Sequence, residues 1–168
     1  MANDRLKPGP APFLSLRMVE WSLVAALIAV LALVFMHQVR ALRGQAELSA
    51  VKTTLGALRT ALVLDHLQKH VMPGNSPVAS TQHNPFELLQ RYPVNYIGEM
   101  TPAEAEAAPA GTWVFDPVCA CVGYLPIYPE WLDSPSGGVI AWYQVSGAPG
   151  PLQLTAKEAY VWQGQVMN

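Results

Sequence analysis

The two cysteines of this chain, Cys119 and Cys121, stand two apart in the run DPVCACVGY. In an oxidising compartment such a pair can close a small disulfide loop in a hairpin turn, bridge to another chain, or persist as buried thiols. Two strand positions on one face lie too far apart for a disulfide, so closure within the chain requires a turn there. The C-x-x-C at a helix start that serves redox catalysis is absent. His66 and His70 are four apart in a helical pattern, a spacing that aims two imidazoles at one metal. Only Asp65 and His83 offer further ligands, and no H-E-x-x-H motif is present. Solvated histidines near the negative end of a helix are the simpler reading, and no metal site is expected. Glu20 is the third candidate, because it opens an apolar run. A carboxylate at the edge of hydrocarbon costs about 2.5–3.5 kcal/mol and needs a partner. Read locally, it marks the interface and snorkels to water, with Arg17, three residues earlier on the same helix, able to pair with it. No P-loop, dinucleotide fingerprint, G-x-S-x-G or zinc quartet occurs, so neither an enzyme nor a bound cofactor is expected.

The elements that carry these residues follow from an uneven composition. Of 168 residues, 51% are hydrophobic and 13% charged, with ten Lys and Arg against twelve Asp and Glu. That balance argues against a basic nucleic-acid-binding surface, and the apolar content argues against a charge-rich disordered chain. The excess concentrates in Trp21–Met36, WSLVAALIAVLALVFM, which contains one serine and no charge. Sixteen helical residues rise roughly 24 Å, close to the roughly 30 Å of a bilayer core. With Leu, Val, Ala and Ile on every face, the run reads as a membrane span in contact with lipid. A cleaved signal peptide is the rival, but no small-x-small site follows Met36. Arg5, Lys7 and Arg17 on one side match Arg40, Arg43 and Lys52 on the other, so positive charge does not orient the span. The aromatic-rich remainder has the character of an exported domain, which places the N-terminus in the cytoplasm.

Beyond the span, Leu48, Val51, Leu55, Leu58 and Leu62 repeat at helical spacing. Glu47, Lys52, Thr53, Arg59 and Thr60 are assigned to the opposite, solvated face. With no Pro between Pro12 and Pro73, one helix is expected from about Leu16 to about His70, and Gly44 and Gly56 are its weak points. The breaker run Pro73–Pro77 ends it. The expected organisation is a leader-like segment 1–15, a membrane helix 16–37, an amphipathic extension 38–72, an irregular region 73–110 and a sheet region 111–168. Short helices are expected in PFELLQRY and AEAEAA. Strands are expected in TWVFD, CVGYLPIY, GVIAWYQV and AYVWQGQV. The fold class is α+β, a long helix packed on an antiparallel sheet of three or four strands. The aromatic residues fall mostly on these strands, where packing against the helix explains them.

A short basic leader, a Glu inside the edge of an apolar run, an amphipathic helical extension and a C-terminal sheet occur here in that order. In this order the chain resembles type IV pilins and the pseudopilins of type II secretion. Leu16-Arg17-Met18-Val19-Glu20 is similar to the start of a mature pilin, and HNPFELLQRYPVNYIGE and GTWVFDPVCACVGYLP resemble stretches common in minor pilin-like proteins. The resemblance implies cleavage between Ser15 and Leu16 by a prepilin peptidase and methylation of Leu16. It also implies a bacterial inner-membrane location with a periplasmic C-terminal domain, and assembly with other pilin-like subunits on an inner-membrane platform driven by an ATPase. Glu20 would then pair with the free amine of a neighbouring subunit's Leu16. Ser15 stands where the family usually presents Gly, and Arg17 places a charge where it usually has none. Two other readings use the same residues. One is an uncleaved membrane-anchored binding module, and the other an anchored thiol oxidoreductase working through Cys119 and Cys121.

Overall fold

The computed structural model of the chain describes residues 16–71, 83–147 and 152–167. The leader-like segment with Ser15, and the breaker run Pro73–Pro77, lie outside them. Two compact units divide at Arg43 and Gly44. Helix α1 spans Leu16–Val71, 56 residues without interruption, as the long proline-free stretch predicts. Its first part supplies the described residues of the first unit.

In the second unit the helical stripe is the spine of the core. Leu48, Val51, Leu55, Leu58 and Leu62 are all buried. They share a hydrophobic cluster with Trp113, Phe115, Val122, Tyr124, Tyr143, Val145, Leu154, Tyr160 and Trp162. Burying a Leu or Val side chain contributes about 1.5–3 kcal/mol, so this stripe is the main attachment of α1 to the sheet. Gly44 is part of that fit, because a Cβ there would run into the Gln163 side chain. Its carbonyl accepts the indole N–H of Trp162 at 3.0 Å.

The sheet is larger than expected and mixed in direction. Strands β1 (Tyr96–Glu99), β2 (Trp113–Asp116), β3 (Cys121–Tyr124), β5 (Ala141–Ser146) and β6 (Gln153–Ala156) form one five-stranded sheet in the order β1-β2-β3-β5-β6. Strand β1 runs parallel to β2, with an irregular register between Tyr96 and Glu99, while the other pairs are antiparallel. Strand β6 and the parallel β1 escape the sequence pattern because each is four residues long, and each mixes polar residues with few β-branched ones. The last expected strand is instead two. Gln163 and Gly164 both take positive φ, 46° and 81°, the backbone of a two-residue hairpin turn. The turn folds β7 (Val161–Trp162) onto β8 (Gln165–Val166), and β7 pairs with β4 (Leu132–Asp133) in a separate three-stranded sheet.

Of the region 73–110, expected to be irregular with short helical turns, the described residues 83–110 contribute one strand and two short helical pieces. PFELLQRY gives only a 3-10 turn, Pro85–Leu88, capped by the Asn84 side chain. Helix α2, Pro102–Glu106, starts at a capping box in which Thr101 and Glu104 bond each other's backbone. Ala105 of α2 packs with Val114, Leu125 and Ile140 in a second buried cluster. Side chains alternate along a strand, so Val114 faces this cluster while Trp113 and Phe115 face α1. Gly123 belongs to the same packing, since a Cβ there would lie 2.6 Å from Trp142 and 2.8 Å from Val114.

Candidate functional site

The apolar run keeps its helix and lacks a covering. Every residue from 16 to 38 is exposed, Leu16 at 90% and Trp21 at 72%. The helix is long and apolar enough to cross a membrane. Ser22, the polar side chain inside the run, donates to the Val19 carbonyl at 2.8 Å, so its hydroxyl needs no water. Leu16 and Glu20 lie one turn apart on the same helical face. Glu20 is exposed, and among the described residues it forms no salt bridge with Arg17 or any other cation. Of the two partners considered for this carboxylate, the one within its own helix is therefore not engaged.

Cys119 and Cys121 are joined in a disulfide, with Cα atoms 5.2 Å apart. They sit at the β2–β3 connection, Cys119 half-buried in the turn and Cys121 buried at the start of β3. Ala120 between them takes the left-handed conformation at φ 54°, the turn geometry that C-x-C closure requires. Its carbonyl accepts the Val145 N–H at 3.1 Å, and the Asp116 carboxylate accepts the Val118 N–H at 2.9 Å. The hairpin tip is thus tied to β5 as well as to itself.

His66 is on α1, the His70 side chain lies outside the described residues, and His83 Nε2 is 3.0 Å from Glu87 Oε2. Among the described residues no three His, Cys, Asp or Glu side chains form a metal-binding group.

Glu47 departs from its expected place on the solvated face. It is 8% exposed, and its Oε1 accepts both the Tyr124 hydroxyl and the Ile127 N–H at 2.8 Å. Its buried Oε2 has no hydrogen-bond partner among the described residues. Burial of the Tyr124 phenol, reinforced by the Glu47 carboxylate, pushes its pKa far above the ordinary tyrosine range. Spacing carried the signal, since Glu47 is four residues before Val51 and eleven before Leu58 and so shares their face. Arg59, assigned to the same solvated face, is partly buried and donates from Nε to the Leu154 carbonyl at 3.2 Å. It thereby covers a hydrogen-bonding group on the edge strand β6.

A second carboxylate, Glu158, ties the β6–β7 connection to the loop between β4 and β5. Glu158 accepts from Ser134 Oγ at 2.7 Å and from the Ser136 N–H at 3.2 Å. Bonds from Ser134 and Ser136 hold its pKa below the ordinary 4.5. The folded carboxyl gives up its proton more readily than the unfolded one. Its stabilising contribution is therefore full above the ordinary carboxylate range and is lost as pH falls through the lowered folded value. Glu158→Gln is expected to lower the thermal midpoint at neutral pH, with the gap to the parent narrowing below pH 4.5. Parallel midpoint-against-pH curves for the two proteins would contradict this.

No protein-family model, curated protein or solved structure matches the chain.

Proposed function

We propose that this protein is a structural, non-enzymatic subunit of a pilin-like or pseudopilin-like filament, held in the bacterial inner membrane by the first part of α1. The observation that carries the reading is the exposed apolar stretch of α1 with Glu20 at its edge and no salt bridge to that carboxylate among the described residues. A lipid-facing carboxylate is costly until it is paired. The free amine of a neighbouring subunit's Leu16, created by cleavage after Ser15, neutralises it and sets the axial register between adjoining helices. Processing by a prepilin peptidase and assembly on an inner-membrane platform follow from the same reading, with the Gly44–Asn168 unit in the periplasm. Other pilin-like subunits and membrane lipid are then the partners. The buried stripe beneath a β-sheet supports it as well, because it leaves the upstream half of α1 for contacts outside the chain.

The test is a photo-reactive amino acid in place of Leu27, within the span, in the full chain in its native membrane. Adducts to a second pilin-like subunit are expected. Adducts to lipid alone would contradict the reading and favour an uncleaved, solitary anchor.

A further inference from the structure

A ladder of three aromatic rings runs from the core to the surface beside β1. Phe86 is fully buried and stacks on Tyr96 with ring centroids 4.2 Å apart, and Tyr92 stacks on Tyr96 at 5.5 Å and 15°. Tyr92 is 52% exposed. Because a near-parallel stack covers one face of its ring, the outer face is what it presents to solvent. Acidic groups surround the ladder. Asn84 Nδ2 donates to the Tyr96 hydroxyl at 2.8 Å and to Glu99 Oε1 at 3.2 Å, which fixes the Glu99 carboxylate beside the rings. Glu87 extends from the 3-10 turn that carries Phe86, and Glu87 and Glu99 both act on the Tyr96 phenol, which burial, with these charges adding to it, holds above its ordinary pKa. Both carboxylates are exposed, Glu87 being shared with His83, and Arg91 is exposed in the loop preceding Tyr92.

A planar aromatic face beside fixed carboxylates suits a guanidinium, which stacks on the ring and bonds the carboxylate in one placement. Among the described residues, two such groups stand together just past the apolar run. Arg40 and Arg43 are three apart on one face of α1, exposed, and in no salt bridge among the described residues. They follow the apolar run by roughly 6 and 10 Å of helix. When copies pack through their apolar helices, these arginines leave bulk water, and an unpaired cation there is costly.

We infer that the Tyr92–Tyr96–Glu99 patch, with Glu87 at its rim, is a docking surface for the Arg40–Arg43 face of a second copy of this chain. This inference rests on the assembly reading above and names the head-to-helix contact within it. Val94, next to the patch and fully exposed, gives a place for a photo-reactive residue that disturbs no contact. In full-length protein in native membranes, the expected adduct joins position 94 to a peptide containing Arg40 and Arg43 of a second copy. Tyr92→Ala and Glu99→Gln are expected to lower its yield about tenfold, equivalent to about 1.4 kcal/mol. Glu99→Arg should lower it at least as far, and adding Arg43→Glu to that chain should restore it. Glu99→Gln keeps the oxygen that accepts from Asn84, so its effect is read in a folded protein. An adduct to another region of the chain, to a different protein or to glycan, or a failed charge-swap rescue, would overturn the inference. Adducts from position 27 persisting in that case would leave the assembly reading standing.

Discussion

Glu20→Ala is expected to leave the chain inserted and its C-terminal unit folded while reducing incorporation into assembled filaments by about a hundredfold. The magnitude follows from the site. An unpaired carboxylate at the edge of hydrocarbon costs about 2.5–3.5 kcal/mol, and pairing between subunits recovers that cost only on assembly. A factor of ten in equilibrium corresponds to about 1.4 kcal/mol. Removing the carboxylate also strands the neighbouring amine in the same surroundings. Folding should be untouched, because Glu20 is exposed and belongs to the unit that ends at Arg43. Glu20→Gln should behave like Ala, since an amide neither neutralises the amine nor requires it. Membrane fractionation alongside recovery in sheared filaments separates insertion from assembly. Unchanged recovery of both variants would remove the proposed pairing.

Glu47→Ala is expected to destabilise the C-terminal unit by about 3 kcal/mol, because a buried donor and a part-buried one each lose their acceptor at about 1–3 kcal/mol. The Tyr124 hydroxyl and the Ile127 N–H both point at the same carboxylate oxygen, 92% of the residue's surface being covered when 8% is exposed. Glu47→Gln keeps one acceptor oxygen for these donors and should cost less than the Ala change. Denaturant unfolding of the full chain in detergent, followed by Trp fluorescence, reads both variants, since Trp113 and Trp162 lie in the same cluster as Tyr124. An Ala variant within 0.5 kcal/mol of the parent, roughly the scatter of ordinary surface substitutions, would contradict the assignment.

The legible parts of the fold are those where periodicity and burial agree. The stripe from Leu48 to Leu62 and the strands around Trp113, Cys121 and Ala141 are written in apolar spacing. Glu47 is the exception, because its charge points to solvent while its position on the helix face matches Val51 and Leu58. Strands β1, β4 and β6 carry little local signal, being held by neighbours distant in sequence. The Gln163–Gly164 turn was hidden because Gln rarely takes positive φ. At the candidate site, Glu20 and the apolar run were legible, since hydrocarbon imposes its demand residue by residue. The aromatic ladder was not, because Phe86, Tyr92 and Tyr96 become neighbours only through the 3-10 turn and the parallel pairing of β1.

The most direct test of the filament-subunit reading is the intact mass of the protein recovered from assembled material in its native membrane. The mass should correspond to a chain beginning at Leu16, with one added methyl group. Full-length protein retaining Met1 in that material would contradict it.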